Sequence, residues 1–171
     1  MTAVIRAARL AVKQPDSYDA QAQLMWASTI AHNETLGVGR VQDFGSHQIE
    51  HELSAMYDVA HGAGLAVVFP AWMRYHMRRD VMRFAQFAVR VYGCEMNFEN
   101  PEETALRGIE AHEAFLREIG MPLTLKELGA RSEDIPSLAA KTKKTNSDGT
   151  TGGVFHMTTQ DIEAILRIAD R

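Results

Sequence analysis

The stretch Ser46-His47-Gln48-Ile49-Glu50-His51-Glu52-Leu53-Ser54-Ala55-Met56-Tyr57-Asp58-Val59-Ala60-His61-Gly62-Ala63-Gly64 decides how the rest of the chain is read, and it carries three of the chain's seven histidines. His47 and His51 stand four residues apart, so a helix places both on one face together with Ser54 and Asp58. Ile49, Leu53 and Met56 occupy the other side. Histidines in a polar stripe opposite an apolar one face solvent or a cleft rather than the core.

His61 adds a geometric condition. One straight helix from His47 to His61 would hold the two roughly 21 Å apart, at a rise of ~1.5 Å per residue. Imidazoles sharing a metal need bonds of about 2.0–2.1 Å each. A shared metal therefore requires a turn, and Tyr57-Asp58-Val59-Ala60 is the place for one, with a second helix starting near His61 and Gly62 and Gly64 allowing close backbone approach. From spacing alone the histidines read as surface or capping residues more often than as ligands. Two sharper motifs are excluded. His51-Glu52-Leu53-Ser54-Ala55 opens like the H-E-x-x-H of zinc proteases but has Ala55 where the second histidine belongs. No Glu-x-x-His occurs, which removes a four-helix di-iron carboxylate site.

The run from Gln42-Asp43-Phe44 through His47, His51 and Leu53-Ser54-Ala55-Met56-Tyr57 to His61-Gly62-Ala63-Gly64-Leu65-Ala66 resembles the C-terminal domain of the iron-containing (group III) alcohol dehydrogenases, in their butanol-dehydrogenase-like branch. The resemblance extends over almost the whole chain and includes Leu24-Met25-Trp26-Ala27. It implies that His47 and His61 are metal ligands, fourteen residues apart as in that family, and that His51 is the histidine lining the cleft near substrate and nicotinamide. It also implies a divalent metal, Fe(II) or Zn, an NAD(P) cofactor, and a small alcohol or aldehyde as substrate. The family's remaining Asp and His ligands, and its dinucleotide-binding domain, correspond to sequence preceding residue 1. The first forty residues hold no Gly-rich turn after a strand, so the dinucleotide fingerprint is absent from this stretch. Asp43 and His47 reproduce an Asp-x-x-x-His spacing, but Asp43 reads as an N-cap of the His-bearing helix.

Outward from this centre the chain is helical. At 171 residues one domain, 1–171, is expected, long enough to bury a core. With 46% hydrophobic and 23% charged residues and a net charge of −4, composition is that of a soluble globular protein and gives no basic face for nucleic acid. No apolar run reaches the ~18 residues of a membrane span. Cys94 is the lone cysteine, so no internal disulfide can form, and a reducing, cytoplasmic setting is the simpler reading. It follows an apolar helix without a nearby His, which argues against a nucleophile.

Thr2 to Lys13 reads as an amphipathic helix ended by Pro15, and Ser17 to Asn33 as a second one, with Met25 and Trp26 packed between helices and His32 at the negative end of its dipole. Gly37-Val38-Gly39-Arg40 is a chain reversal. From His61 to about Arg78 apolar residues lie on every side, the mark of a central buried helix. Pro70 should kink it, at about 3 kcal/mol unless the bend absorbs the lost bond. His76 sits near its polar end and has no assigned role. Further helices are expected over Asp80–Tyr92, over Pro101–Ile119 with Asn100 as cap, and over Thr158–Asp170. Between the last two, a short element spans Leu125–Leu128, and another runs from Ser132 to Lys144, opened by Ser-Glu-Asp. His112, between Glu110 and Glu113, reads as solvated. Thr145 to Gly153 reads as a mobile loop. No strand is expected.

These readings converge on an all-α bundle of about seven helices. Three functions follow from them. The first is the metal-binding helical part of an NAD(P)-dependent alcohol dehydrogenase, active with a cofactor domain supplied by a separate nucleotide-binding chain. The second is a truncated, catalytically inactive helical domain. The third is a helical interaction or metal-sensing module. Under the first two, an exposed apolar docking face predicts a homo-oligomer or instability, whereas a self-contained polar surface favours the third.

Overall fold

The computed structural model describes residues 1–171. It is all-α, with nine helices and one isolated backbone bridge, Thr151 to Met157, in place of any strand. Seven helices are long: α1 (Thr2–Lys13), α2 (Tyr18–His32), α3 (Gly45–Tyr57), α4 (His61–His76), α5 (Val81–Tyr92), α6 (Pro101–Glu118) and α9 (Thr159–Ala169). Two are short, α7 (Leu125–Leu128) and α8 (Ile135–Lys141). The chain divides into two compact units, Met1–Gln42 and Asp43–Arg171.

In the first unit Pro15 keeps Gln14 out of the helical conformation and ends α1. The Ser17 hydroxyl then accepts the Ala20 N–H at 3.4 Å and opens α2. The two helices pack on Ile5, Ala7 and Ala20. Met25 and Trp26, expected between helices, are instead 71% and 65% exposed. At 100° per residue they fall about 140° and 240° round the helix from the buried Ala20, well away from the packed side. His32 meets its expectation near the helix end, with Nδ1 at 2.9 Å from the Ser28 carbonyl.

The second unit is built on α4, whose Val67, Val68, Ala71, Trp72 and Met73 are all buried and which packs against α3, α6, α7 and α9. It runs through Pro70 as one helix. Ile49 and Leu53 of α3, Ile109 of α6, Leu138 of α8 and Ile162, Ile165 and Leu166 of α9 complete the core without exposed surface. Truncating any of these to alanine would cost about 2–5 kcal/mol.

The α5–α6 pair approaches most closely at Gly108, where a Cβ would lie 2.4 Å from that of Ala88. Small residues set this separation, since Ala85 and Ala105 are also fully buried. Asn100 precedes α6 but its side chain makes no cap bond. Asn97 instead orders the turn leading into the helix, its Oδ1 accepting the N–H groups of Glu99 and Asn100. Arg74 donates to both Glu113 oxygens, at 3.1 and 2.8 Å, and Arg171 joins the same carboxylate. The pair ties the last residue to α4 and α6, and the two arginines hold the Glu113 carboxyl below its usual range despite burial.

Three readings of polar residues are corrected by the tertiary structure. Asp43 is not the N-cap of α3, a position held by Phe44. Its Oδ1 accepts the Gly45 N–H at 2.7 Å, and its Oδ2 accepts three successive N–H groups, of Gly153, Val154 and Phe155, at 2.8–3.2 Å. Consecutive amides aimed at one oxygen form an anion cradle, so Asp43 pins a turn more than a hundred residues downstream. That turn begins at the end of the Thr145–Gly153 segment expected to be a mobile loop, which is itself internally bonded. In it Thr151 and Gly152 are buried, Asn146 donates to the Gly152 carbonyl, and Thr151 bonds Met157 in both directions. Ser132–Asp134 forms a 3-10 turn ahead of α8, and Asp134 accepts from Tyr57 at 2.5 Å and from Arg131 rather than capping. α9 opens instead on a reciprocal cap between Thr158 and Asp161.

Candidate metal centre

α3 ends where Asp58 takes a left-handed conformation, φ 52° and ψ 39°, and its N–H closes on the Ser54 carbonyl. Asparagine and aspartate tolerate this region better than most residues. Three residues later α4 begins on His61, so the turn expected at Tyr57–Ala60 is present. The two His-bearing helices pack against each other, and residues that a continuous helix would hold far apart become neighbours.

The ring centroids of His47 and His61 are 5.4 Å apart, and those of His51 and His61 are also 5.4 Å apart. His47 is half-buried and meets the Phe44 ring edge-on at 5.2 Å. His51 and His61 are exposed, the side chain of His61 by 47%. All three histidines singled out by spacing thus converge on one corner, with His61 between the other two.

A fourth residue belongs to this corner and was not singled out. Glu50 has no exposed surface. Its Oε2 hydrogen-bonds Nδ1 of His61, and its Oε1 accepts the Ser54 hydroxyl at 2.5 Å. Ligand atoms from Glu50, His51 and His61 all lie within 4.8 Å of one another. In the sequence Glu50 looks like one more solvated helix carboxylate; its signal is the hydroxyl of Ser54 one turn on and a glycine, Gly64, one turn after His61.

Beside the corner lies an apolar cavity of about 380 Å³ bounded by His47, Gly62, Leu65, Phe69, His112 and Leu116. His112, expected to be solvated, is 8% exposed and is corrected here to an interior residue. Its Nδ1 meets the Tyr92 hydroxyl at 2.7 Å, and Phe69, Phe87 and Phe115 surround the ring. Burial pulls its pKa down. α6 turns Glu110 outward and His112 inward, a distinction that neighbouring letters do not carry. His76 is likewise corrected from a polar helix end to a fully buried residue, stacked on Phe155 at 4.7 Å and against Trp72. Neither ring nitrogen of His76 has a hydrogen-bond partner, and desolvation, helped by Arg79, pulls its pKa to about 4. His76 is part of the core, and the candidate centre does not include it.

Three imidazoles gathered on one corner, one of them backed by a buried carboxylate, are a donor set suited to Fe(II) or Zn. Residues 1–169 match the Fe-containing alcohol dehydrogenase family, C-terminal, and the chain belongs to that family. It is 35% identical over 164 residues to the NADH-dependent butanol dehydrogenase A of Clostridium acetobutylicum, covering 95% of this chain and 42% of that protein. The NADPH-dependent aldehyde reductase YqhD of Escherichia coli is 35% identical over 164 residues, covering 94% of this chain and 41% of the relative. Among solved structures, the NADH-dependent butanol dehydrogenase A of Thermotoga maritima superposes with a TM-score of 0.91 at 37% identity, over 99% of this chain and 44% of that one. The chain thus spans about two fifths of the length of the relatives it matches. No helix is long and apolar enough to cross a membrane.

Proposed function

We propose that this chain is the metal-holding helical part of an NAD(P)-dependent alcohol dehydrogenase that interconverts a small alcohol and its aldehyde, working with a nicotinamide-binding domain. The observation that carries the reading is the convergence of His47, His51 and His61 across the α3–α4 corner, beside an apolar cavity. His47 and His61 would hold the metal, the rest of its ligand set coming from residues beyond these 171. Once bound, a divalent metal supplies Lewis acidity at the alcohol or carbonyl oxygen, and the nicotinamide accepts or returns hydride.

The chain's own residues do the rest. His51, exposed beside His61, would hold or pass on the proton of the substrate hydroxyl. Leu65, Phe69 and Leu116 seat the alkyl part of the substrate and exclude water from it. His47 borders both the histidine corner and the cavity, so the reacting oxygen and the alkyl chain are oriented from one point.

Titration of the purified chain with Fe(II) under anaerobic conditions and with Zn(II), beside His47→Ala and His61→Ala, tests this. One equivalent bound by the parent and lost in both variants is expected. Equal background binding in all three would reduce the chain to a scaffold and favour the catalytically inactive reading.

A further inference from the structure

Glu50 presents an energetic problem that the metal reading alone does not solve. A carboxylate without exposed surface is costly unless its oxygens are well bonded. Here the partner across the ion pair is an imidazole, His61, and not an arginine or lysine. The surroundings are shaped to keep the carboxylate in place. Ser54, one turn along α3, donates its hydroxyl to Oε1 and lies 3.1 Å from the Val59 carbonyl, in the turn leading to His61. Gly64 supplies the room: a Cβ there would sit 2.4 Å from Oε1, 2.7 Å from Cγ and 2.9 Å from Cδ of Glu50. Positions 50, 54, 61 and 64, on two helices, thus fit one arrangement.

An ionised carboxylate can only accept, so the imidazole facing it must carry its proton on Nδ1. The Nε2 lone pair is then the one left for a ligand. We infer that Glu50 is a positioning residue and not a ligand: it fixes His61 in the Nδ1–H tautomer, presents Nε2 to the metal, and depends on Ser54 and the missing side chain of Gly64 to do so. Both of its oxygens are already engaged within the protein, Oε2 with His61 and Oε1 with Ser54. This rests on the reading of His61 as a ligand, but the tautomer can be measured without any metal.

Two measurements on the whole chain decide it. The first is long-range ¹H–¹⁵N correlation of the histidine rings in the metal-free protein, at a pH where His61 is neutral, with His61→Ala for assignment. The parent should show a pyrrole-like Nδ1 and a pyridine-like Nε2 for His61, and Glu50→Gln and Gly64→Ala should each turn this into a tautomer mixture. An unchanged tautomer in both variants overturns the inference. The second is titration with Co(II), whose visible absorption reports ligand type and number. Glu50→Gln should keep one equivalent and the parent's band pattern while binding 10–100-fold more weakly, the usual consequence of losing a carboxylate behind a ligating histidine. A changed band pattern in Glu50→Gln would make Glu50 a ligand and overturn the positioning role. Gly64→Ala keeps the carboxylate and displaces it, so weakened binding there with a native circular dichroism spectrum supports positioning. Failure of the parent to bind Co(II) would instead sink the metal reading of the preceding section, leaving the tautomer result to judge Glu50 alone.

Discussion

Two groups of histidines in the same unit meet opposite fates. His47, His51 and His61 gather at the α3–α4 corner, half-buried or exposed, with a carboxylate beneath them. His76 and His112 sit in the interior among Trp72, Phe155, Phe87 and Phe115. The first group keeps contact with solvent, and its His61 holds Nδ1 against the Glu50 carboxylate, which suits ligation and proton transfer. The second surrenders hydration, and the cost shows as lowered pKa values for both rings. Residue type therefore says little about a histidine's work here; the environment on each ring nitrogen decides it.

The sharpest way to break this comparison is to place a carboxylate in each group. His76→Asp buries a charge among aromatic rings without a partner and should cost about 3–5 kcal/mol, a large share of an ordinary domain's stability. His51→Asp, on an exposed helix face, should stay within about 0.5 kcal/mol of the parent. Urea unfolding followed by circular dichroism measures both, and equal losses would mean that the two groups do not differ as described.

The second effect is one of pH. His76 titrates near 4 in the folded protein and near 6.5 when exposed by unfolding. Between those values the unfolded chain binds more protons, so acid favours unfolding. The contribution is complete above pH 6.5 and disappears as the pH falls through 6.5 towards 4, up to about 3 kcal/mol in all, of which about 2 kcal/mol falls between pH 7 and 5. His76→Leu removes the titrating group at similar volume and also a ring whose nitrogens have no partners. Its stability at pH 7 should match or exceed the parent's, and its loss on going to pH 5 should be smaller by that amount. The same loss in both proteins would remove His76 as the cause.

The smallest effect separates the two interior rings. His112 has the Tyr92 hydroxyl as partner, whereas His76 has none. Tyr92→Phe should therefore cost about 1 kcal/mol, the worth of one hydrogen bond to a buried polar group. A neutral result in thermal unfolding would show that the His112 nitrogen is satisfied from elsewhere.

Much of the fold was legible in the chain. The boundaries of α1, α2 and α6 follow from Pro15, Ser17 and Pro101, because caps and prolines act on their own neighbours. The apolar-all-round pattern of residues 61–78 marked α4 as the central helix, since such a surface has to be covered on every side. The misread positions are polar residues whose partners lie far along the sequence. Asp43 meets amides at 153–155, Tyr57 meets Asp134, and His76 meets Phe155. Met25 and Trp26 were misread for the complementary reason, as large apolar residues that remain exposed.

By itself the sequence determined an all-α chain, the turn between Tyr57 and His61, the three histidines worth watching, and a family resemblance that the comparisons bear out, since periodicity, capping and motif spacing are local properties. Only the tertiary structure decided which polar groups lose water. It buried Glu50 under His61, opened room for it at Gly64, and enclosed His76 and His112 in aromatic rings, because solvation depends on what other helices bring to a site and not on the letters beside it.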